Sequence, residues 1–338
     1  MSIRRIVALF AAALVLAGLG YTAYWFHAAA GMRKGLERWA EARRADGWQV
    51  AWDDLERGGF PLHLRLSLGA PRLTTPSGLR WRGERLVGLA DPFNPTRLRL
   101  HAGGRHDLGW PGTEAVLEAA TLDAEINLDQ GGRLEEATVM GAGLTLTGAA
   151  HEPLSAAGLA AMWDPLPVAQ PDHTTATVRF TATAHDLTLP AWAGLPLDRS
   201  IGLVEITGRV MGAIPDAAPA EALARWSADG GAVELDHVSL EWPPMALEAQ
   251  GTLALDPAGQ PLASLSTRMR GFGALMDRLA DSGTLPADTA AAAKMVLMLM
   301  ARPDSRGRPS VPVPVNLQDG SLYLGPARVA QMPALVWR

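Results

Sequence analysis

Leu62-His63-Leu64-Arg65-Leu66-Ser67-Leu68 places a leucine at every second position, with a polar residue between each pair. A strand sends successive side chains to opposite faces, whereas a helix would scatter these leucines around its circumference. The stretch therefore reads as a strand with one apolar and one wet face. The same texture recurs along the chain. Leu98 and Leu100 repeat it within Thr96–His101, and Leu122, Ala124, Ile126 and Leu128 alternate with Asp123, Glu125 and Asn127. Leu144 and Leu146 alternate with Thr145 and Thr147, and Val178 and Phe180 stand in the Thr-rich run 177–183. Val204 and Ile206 flank Glu205. Val233 and Leu235 flank Glu234, and Val238, Leu240 and Trp242 resume after a one-residue shift at Asp236-His237 that suits a bulge. Leu247, Ala249, Gly251, Leu253 and Leu255 lead into the turn Asp256-Pro257-Ala258-Gly259, and Leu265, Thr267 and Met269 follow. Asp319-Gly320 between Val315–Gln318 and Ser321–Leu324 predicts a two-residue hairpin, because both turn residues must take positive φ.

Strands of this kind make antiparallel sheets with one buried and one solvated face. The expected fold is mainly β, an elongated or curved antiparallel sheet or half-open barrel, with a few helices and an N-terminal single transmembrane helix. The apolar faces need a cover. One solution is a second layer of sheet or helix. The other is a lipid chain lying in a half-open groove, for which Leu62, Leu64, Leu66, Leu68, Leu122, Ile126, Leu128, Leu253 and Leu255 are the candidate lining residues.

Helical spacing is rarer. Met32–Asp46 carries Leu36, Trp39, Ala40 and Arg43 and stops at Gly47. Pro153–Trp163, Ala218–Ser227, Ala274–Ala280 and Pro286–Ala301 are the other candidates. The last contains Met295-Val296-Leu297-Met298-Leu299-Met300, an unbroken apolar run that predicts a helix buried all round; a flexible Met-rich surface is the alternative. Arg302–Pro314, with Pro303, Pro309, Pro312 and Pro314, reads as an extended linker. The expected organisation is a membrane anchor (1–31), an amphipathic helix (32–47), a first β-rich half (48–150), a second with helices (151–301), the Pro-rich linker (302–314) and a C-terminal hairpin (315–338).

Ile6–Phe26 is a run of 21 residues without a charge, preceded by Arg4 and Arg5. At about 1.5 Å per residue it reaches roughly 30 Å, the thickness of a hydrocarbon core. Ile6, Leu9, Leu14, Leu16 and Leu19 supply its apolar surface, and Tyr21, Tyr24, Trp25 and Phe26 form an interfacial aromatic belt. Ala28-Ala29-Ala30 before Gly31 also fits a small-x-small cleavage site, but the run is long for a signal peptide, so an uncleaved anchor is expected. Arg4 and Arg5 argue for a cytoplasmic N-terminus, whereas Arg33, Lys34, Arg38, Arg43 and Arg44 follow the span and turn the positive-inside count the other way; Glu37, Glu41 and Asp46 interleave with them, and long domains translocate largely regardless of charge. The residues therefore place the body outside the cytoplasm, tethered to a membrane.

The 338 residues are 48% hydrophobic and 19% charged, which suits a packed body rather than disorder. Net charge is −5, and the first 31 residues hold two of the 30 Lys+Arg and none of the 35 Asp+Glu. The rest is mildly acidic, with no electrostatic footprint for nucleic acid. The absence of cysteine excludes disulfides, thiolate metal sites and thiol nucleophiles.

Of the eight histidines only His101 and His106 are close, beside Asp107, and their spacing suits no shared metal. Asp53, Asp54 and Glu56 read as a solvated turn. No nucleophile elbow, His-Glu-x-x-His helix or Gly-rich phosphate loop is present, so no enzyme activity, cofactor or metal is expected. Trp39, Trp48 and Trp52 suit either an interfacial position or packing of the first helix on the sheet.

An apolar run and an amphipathic helix precede Gly47-Trp48-Gln49-Val50, Gly58-Gly59-Phe60-Pro61, Gly78-Leu79-Arg80-Trp81 and Asp91-Pro92-Phe93-Asn94-Pro95, and the chain closes on Asp319-Gly320-Ser321-Leu322-Tyr323-Leu324-Gly325-Pro326. This order resembles the bacterial domain-of-unknown-function family numbered 2125 over nearly the whole chain. More distantly, the 251–272 stretch followed by helices and a closing hairpin resembles the AsmA-like envelope proteins. That second resemblance implies a role in lipid movement or envelope homeostasis, with membrane lipids as acyl-chain ligands and envelope proteins as partners. An anchored scaffold with a dry β-core, recruiting partners by strand addition, is the competing expectation.

Overall fold

The computed structural model describes residues 3–148, 152–190, 197–215, 217, 219–304, 307–325 and 327–331. Two compact units divide between Leu134 and Glu135.

The first unit opens with α1 (Ile3–Ala45), one continuous helix through both the apolar run and the amphipathic segment. Nine strands follow: β1 (Gln49–Ala51), β2 (Asp54–Gly58), β3 (Leu64–Gly69), β4 (Arg72–Thr74), β5 (Arg80–Gly83), β6 (Arg85–Asp91), β7 (Asn94–His101), β8 (Gly104–Trp110) and β9 (Thr113–Leu128). They pair as a five-membered antiparallel meander in which the first four members are each broken once. β1 and β2 lie end to end against β4 and β3, those against β5 and β6, those against β8 and β7, and the last pair runs along β9.

The breaks line up as a crease. It crosses Asp53, Ala70-Pro71, Glu84 and Ala102-Gly103, and is bridged by Asp53 N–H to Gly69 O (2.9 Å), Ala70 N–H to Glu84 O (2.9 Å), Gly83 N–H to Pro71 O (3.1 Å) and Ala102 N–H to Leu122 O (2.7 Å). Pro71 has no N–H for the ladder, and Ala70 takes φ 44°, so the strand bends there.

Register collects Leu64, Leu66, Leu68, Leu86, Gly88, Ala90, Leu98, Leu100, Ala124 and Ile126 on one face. α1 lies on it. Tyr21, Trp25, Ala29, Met32, Leu36 and Ala40 recur every three or four residues and are the half-buried or buried stripe of the helix. Trp25 and Ala29 pack on Leu64, Ala90 and Leu98. Further along, Arg44 donates to Val50 O (2.7 Å), while Arg43 and Arg44 lie over the rings of Trp48 and Trp52. Trp39 is about 27 Å along the axis from Tyr21, so these three tryptophans stand away from the Tyr21–Phe26 end of the helix. The strand begins at Leu64 rather than Leu62, because Pro61 and Leu62 form the turn that receives α1.

The second unit is an up-and-down meander of β10 (Leu134–Gly148), β11 (Leu154–Pro165), β12 (Ala176–Thr188), β13 (Ser200–Met211), β14 (Ala232–Trp242), β15 (Met245–Leu255) and β16 (Pro261–Arg270), each paired with the next. α2 (Pro219–Ala228) joins β13 to β14, and α3 (Phe272–Asp281) and α4 (Ala287–Met300) form a helical hairpin after β16. The chain returns as β17 (Arg302–Pro303), β18 (Pro309–Pro312), β19 (Val315–Gln318), β20 (Ser321–Leu324) and β21 (Ala327–Gln331). Among the described residues the strands do not close into a barrel.

Three expectations change here. Pro153–Trp163 is strand, not helix: its i, i+3 spacing of Leu159 and Met162 is overridden by full ladders to β10 and β12. The Pro-rich 302–314 segment is extended, as expected, but its described residues are tied into the sheet rather than left as a linker, since β18 and Val313 pair with β16 and Ser310 and Val311 are buried. α4 is not buried all round; Ala290 is its buried residue, whereas Met295, Val296, Met298 and Leu299 are exposed. The Asp319-Gly320 hairpin has φ of 52° and 65°, the two positive values its turn requires, and the bulge falls between Leu235 and Val238.

Leu64, 1% exposed under Trp25, tests the seat of α1. Leu64→Ala is expected to cost about 2–5 kcal/mol, read by urea or thermal unfolding of the full chain. Gly208 tests the second sheet, because a Cβ there would meet Glu234 O at 2.5 Å and Phe180 Cζ at 2.8 Å. Gly208→Val should destabilise by about 1–3 kcal/mol through overpacking, with a lower thermal midpoint.

Candidate functional site

The sheet of the second unit sorts its residues by face. Trp163 stands opposite Phe180, Phe180 opposite Gly208, Gly208 opposite Leu235, Leu235 opposite Gly251 and Gly251 opposite Leu265. A parallel row runs Leu159, Ala184, Val204, Leu240, Leu247, Met269 and Val311. Between them lie Ala161, Ala182, Ile206, Val238, Ala249 and Thr267. Thr267 is the polar member of these rows, and its hydroxyl donates to Val313 O. Gly208 leaves room for the Phe180 ring, which stacks with Trp163 at 6.4 Å between centroids.

The opposite face is polar. Thr183, Glu205, Ser239, Glu248 and Arg268 form one cross-strand row. Arg209 reaches Asp236 (2.6 Å) and Glu234 (3.0 Å), and the hydrogen bond to Asp236 holds its guanidinium more firmly protonated than usual. Opposite charges on facing strands support the register that keeps the other face apolar.

Cover on the apolar face is partial. α2 packs Trp226 and Leu223 over Val178, Val210 and Val233, and Trp226 Nε1–H donates to Met211 O (2.8 Å). Beside it a hollow of about 590 Å³ is lined by Ala220, Leu223, Ala224, Ser227 and Leu255. α3 packs on β15 and α4 on β18. Away from these contacts the face stays half-exposed: Val204, Ile206, Leu240, Leu247 and Leu265 are intermediate, and Leu159 and Trp163 are each 38% exposed.

The eight leucines and one isoleucine expected to line a groove divide between the two units. Leu64, Leu66 and Leu68 are buried beneath or beside α1, and Leu62 is in the turn before β3. Leu122, Ile126 and Leu128 are half-buried on β9. Leu253 and Leu255 belong to the apolar face of the second unit. Of the central lining there, Phe180, Ile206, Val238 and Leu240 are visible as alternation, whereas Leu159 and Trp163 read as helix by their spacing; register gathers all six onto one surface.

The polar residues that carried chemical interest are structural. His106 is buried, with Nδ1 accepting from Trp81 Nε1–H (3.3 Å) and Nε2 donating to Ala102 O (2.5 Å). His101 instead pairs with Asp123 at 2.6 Å. Asp53 pairs with Arg72, and Glu56 lies 3.7 Å from Arg85. Among the described residues no three His, Asp or Glu side chains group as metal ligands.

Residues 25–333 match the family model described as uncharacterized protein conserved in bacteria (DUF2125). The chain belongs to this family. The match to DUF2125 begins at Trp25, the first α1 residue buried against the sheet, and so covers the packed body rather than the exposed part of the helix. Two of the DUF2125-like motifs, Gly59-Phe60-Pro61 and Asp91-Pro92-Phe93, form the loops that hold α1. No curated protein and no solved structure matches the chain.

The helical hairpin at the end of the apolar face is latched by a charge pair. Arg278 donates to both oxygens of Asp198 (2.7 and 3.2 Å), and Trp242 Nε1–H donates to the Asp198 carbonyl (2.6 Å). The hydrogen bonds from Arg278 lower the Asp198 pKa, and those to Asp198 raise that of Arg278. A carboxylate lowered on folding stabilises above its unfolded pKa of about 3.9, and the contribution fades as pH falls through the lower folded value. The latch is therefore full at neutral pH. Asp198→Asn should speed amide hydrogen exchange in α3 at pH 7, and the parent should approach the variant's rate only in strong acid.

Proposed function

We propose that the chain is a single-pass inner-membrane protein whose β-rich body lies outside the cytoplasm and holds or passes lipid acyl chains. The observation that carries this reading is the second unit's sheet: an apolar face that α2 covers at one end and whose larger side chains (Leu159, Trp163, Val204, Ile206, Leu240, Leu247, Leu265) stay half-exposed. Apolar area of this kind, rimmed by polar residues, marks interaction sites more often than bare surface. A saturated chain suits it because the lining offers aliphatic and aromatic groups with no unpaired donor to satisfy. The anchor agrees: among the described residues one helix is long and apolar enough to cross a membrane, by length and composition, and Phe10, Leu14, Leu16 and Leu19 are all exposed along it. Arg4 and Arg5 before the run favour a cytoplasmic N-terminus, the five bases of 33–44 favour the reverse, and the reading rests on long domains translocating largely regardless of flanking charge. The role is in envelope lipid homeostasis, by binding rather than by chemistry.

The α4 surface favours a second reading, an anchored scaffold. Leu299 is 82% exposed, with Met295, Val296 and Met298 around it, and adaptable methionines suit a partner helix or loop. Envelope proteins are the partners this reading implies.

Native mass spectrometry of the full chain, released from nanodiscs formed with bacterial membranes, separates the two. Retained acyl lipid supports the first reading. Ile206→Glu with Leu240→Glu should then lower lipid occupancy at least about tenfold, since an unpaired carboxylate against a hydrocarbon chain costs well over 1.4 kcal/mol. A lipid-free body, with a stoichiometric protein crosslinked through Met295 or Leu299, selects the scaffold. The test needs the whole helix, because removing residues 1–31 strips Trp25 and Ala29 from Leu64 and Ala90.

A further inference from the structure

Six aromatic rings form a collar where α1 meets the sheet. Tyr21 and Tyr24 stack on Phe93 at 5.7 and 5.9 Å, Phe26 stacks on Phe60 at 6.2 Å, and Trp25 meets Phe60 edge-on at 5.4 Å. Two of the three tyrosines and three of the six phenylalanines of the chain are here, so the concentration is local rather than compositional. The outer side of the collar is bare: Phe60, Leu62 and Phe93 are 50%, 72% and 75% exposed. Phe60 and Leu62 flank one turn, between β2 and β3, and Phe93 tips another, between β6 and β7.

The length of the span says what covers them. From Ile6 to Gly20 the helix offers 15 residues, about 22 Å, before its first contact with the body at Tyr21. A hydrocarbon core is about 30 Å thick. The run reaches that thickness only if it continues to Phe26, which carries the rings packed on Tyr21–Phe26 to the same depth. The polar atoms agree. Tyr21 hydroxyl donates to Pro61 O, Tyr24 hydroxyl to Pro92 O (2.5 Å) and Trp25 Nε1–H to His63 O (3.1 Å). A free interfacial belt points such donors at water and headgroups. Here loop carbonyls absorb them, as a water-poor setting requires.

From this geometry we infer that the turns carrying Phe60, Leu62 and Phe93 are themselves membrane-inserted, seating the first unit in the acyl–headgroup boundary of the bilayer that α1 crosses. The occupant is the bilayer, and the inference rests on α1 being a span; it is independent of whether the second unit binds lipid. Three wedges around one helix also fix the tilt of the body, which a single flexible tether would not.

The chain has no cysteine, so single labels can be placed without removing any. Leu14→Cys, Phe60→Cys, Leu62→Cys, Phe93→Cys and Ser77→Cys, each carrying an environment-sensitive fluorophore, are reconstituted as full chains in vesicles of phosphatidylethanolamine and phosphatidylglycerol. Ser77 sits in the β4–β5 turn, beside Pro76, whose ring lies 3.6 Å from where a Cβ on Gly47, past the far end of α1, would stand, and serves as the aqueous control. Labels at 60, 62 and 93 should be quenched by acyl-chain nitroxide lipid, lose iodide quenching and shift to the blue, as at 14; the label at 77 should do the opposite. Leu62 makes little packing contact, so its label reports even if a ring substitution disturbs the collar. A label at 14 in lipid, with 60, 62 and 93 as open to iodide as 77, overturns the inference and leaves the anchor standing. A label at 14 open to iodide removes the span, and this inference with it.

Discussion

A sheet with one apolar face is stable in water only when something lies on that face, and the two units meet this requirement differently. In the first, a helix does it. The stripe from Tyr21 to Ala40 runs along Leu64, Ala90 and Leu98, so the element that continues the apolar N-terminal run is also the missing layer of the body. In the second, α2 covers one end of the apolar face, and larger side chains such as Val204, Ile206, Leu240 and Leu247 stay half-exposed. The proposed lipid role is a consequence of that unequal cover.

The joint between α1 and the first sheet is stiff for a physical reason. Indole and phenol groups bury large apolar area at small entropic cost, and each of Tyr21, Tyr24 and Trp25 is also tied by a hydrogen bond to a loop carbonyl. The loops that supply those carbonyls hold the helix. The crease through Ala70-Pro71 bends the same sheet so that one helix can contact residues on both sides of it.

Much of this architecture was written in local pattern. Alternation at Leu64–Leu68, Leu98–Leu100, Val204–Ile206 and Leu247–Leu255 is a period-two signal that no helix shares, and Asp319-Gly320 accepts backbone angles that most residues refuse. Pattern misled where two structures use similar spacing. Leu159, Met162 and Trp163 satisfy a helical period and a strand ladder equally, and the neighbours β10 and β12 decided between them. Prolines at 303, 309, 312 and 314 suggested free chain, yet Ser310 and Val311 between them pack in the sheet. Met295–Met300 looked like core, because composition reports how apolar a helix is and not whether anything lies against it.

By itself the sequence determined that the body is built from antiparallel, one-faced strands, that no thiol or ordinary catalytic motif is present, and that a helix of membrane length starts the chain. These follow from properties of single residues and near neighbours: side-chain period, turn angles and composition. Tertiary structure alone decided which strands lie side by side, and so which residues share a surface. Trp163 meets Phe180, Phe180 meets Gly208, and Phe60 and Phe93 reach Tyr21–Phe26 across 34 residues or more of chain. Register and long-range packing are global free-energy minima over many pairings, and no local window of sequence contains them.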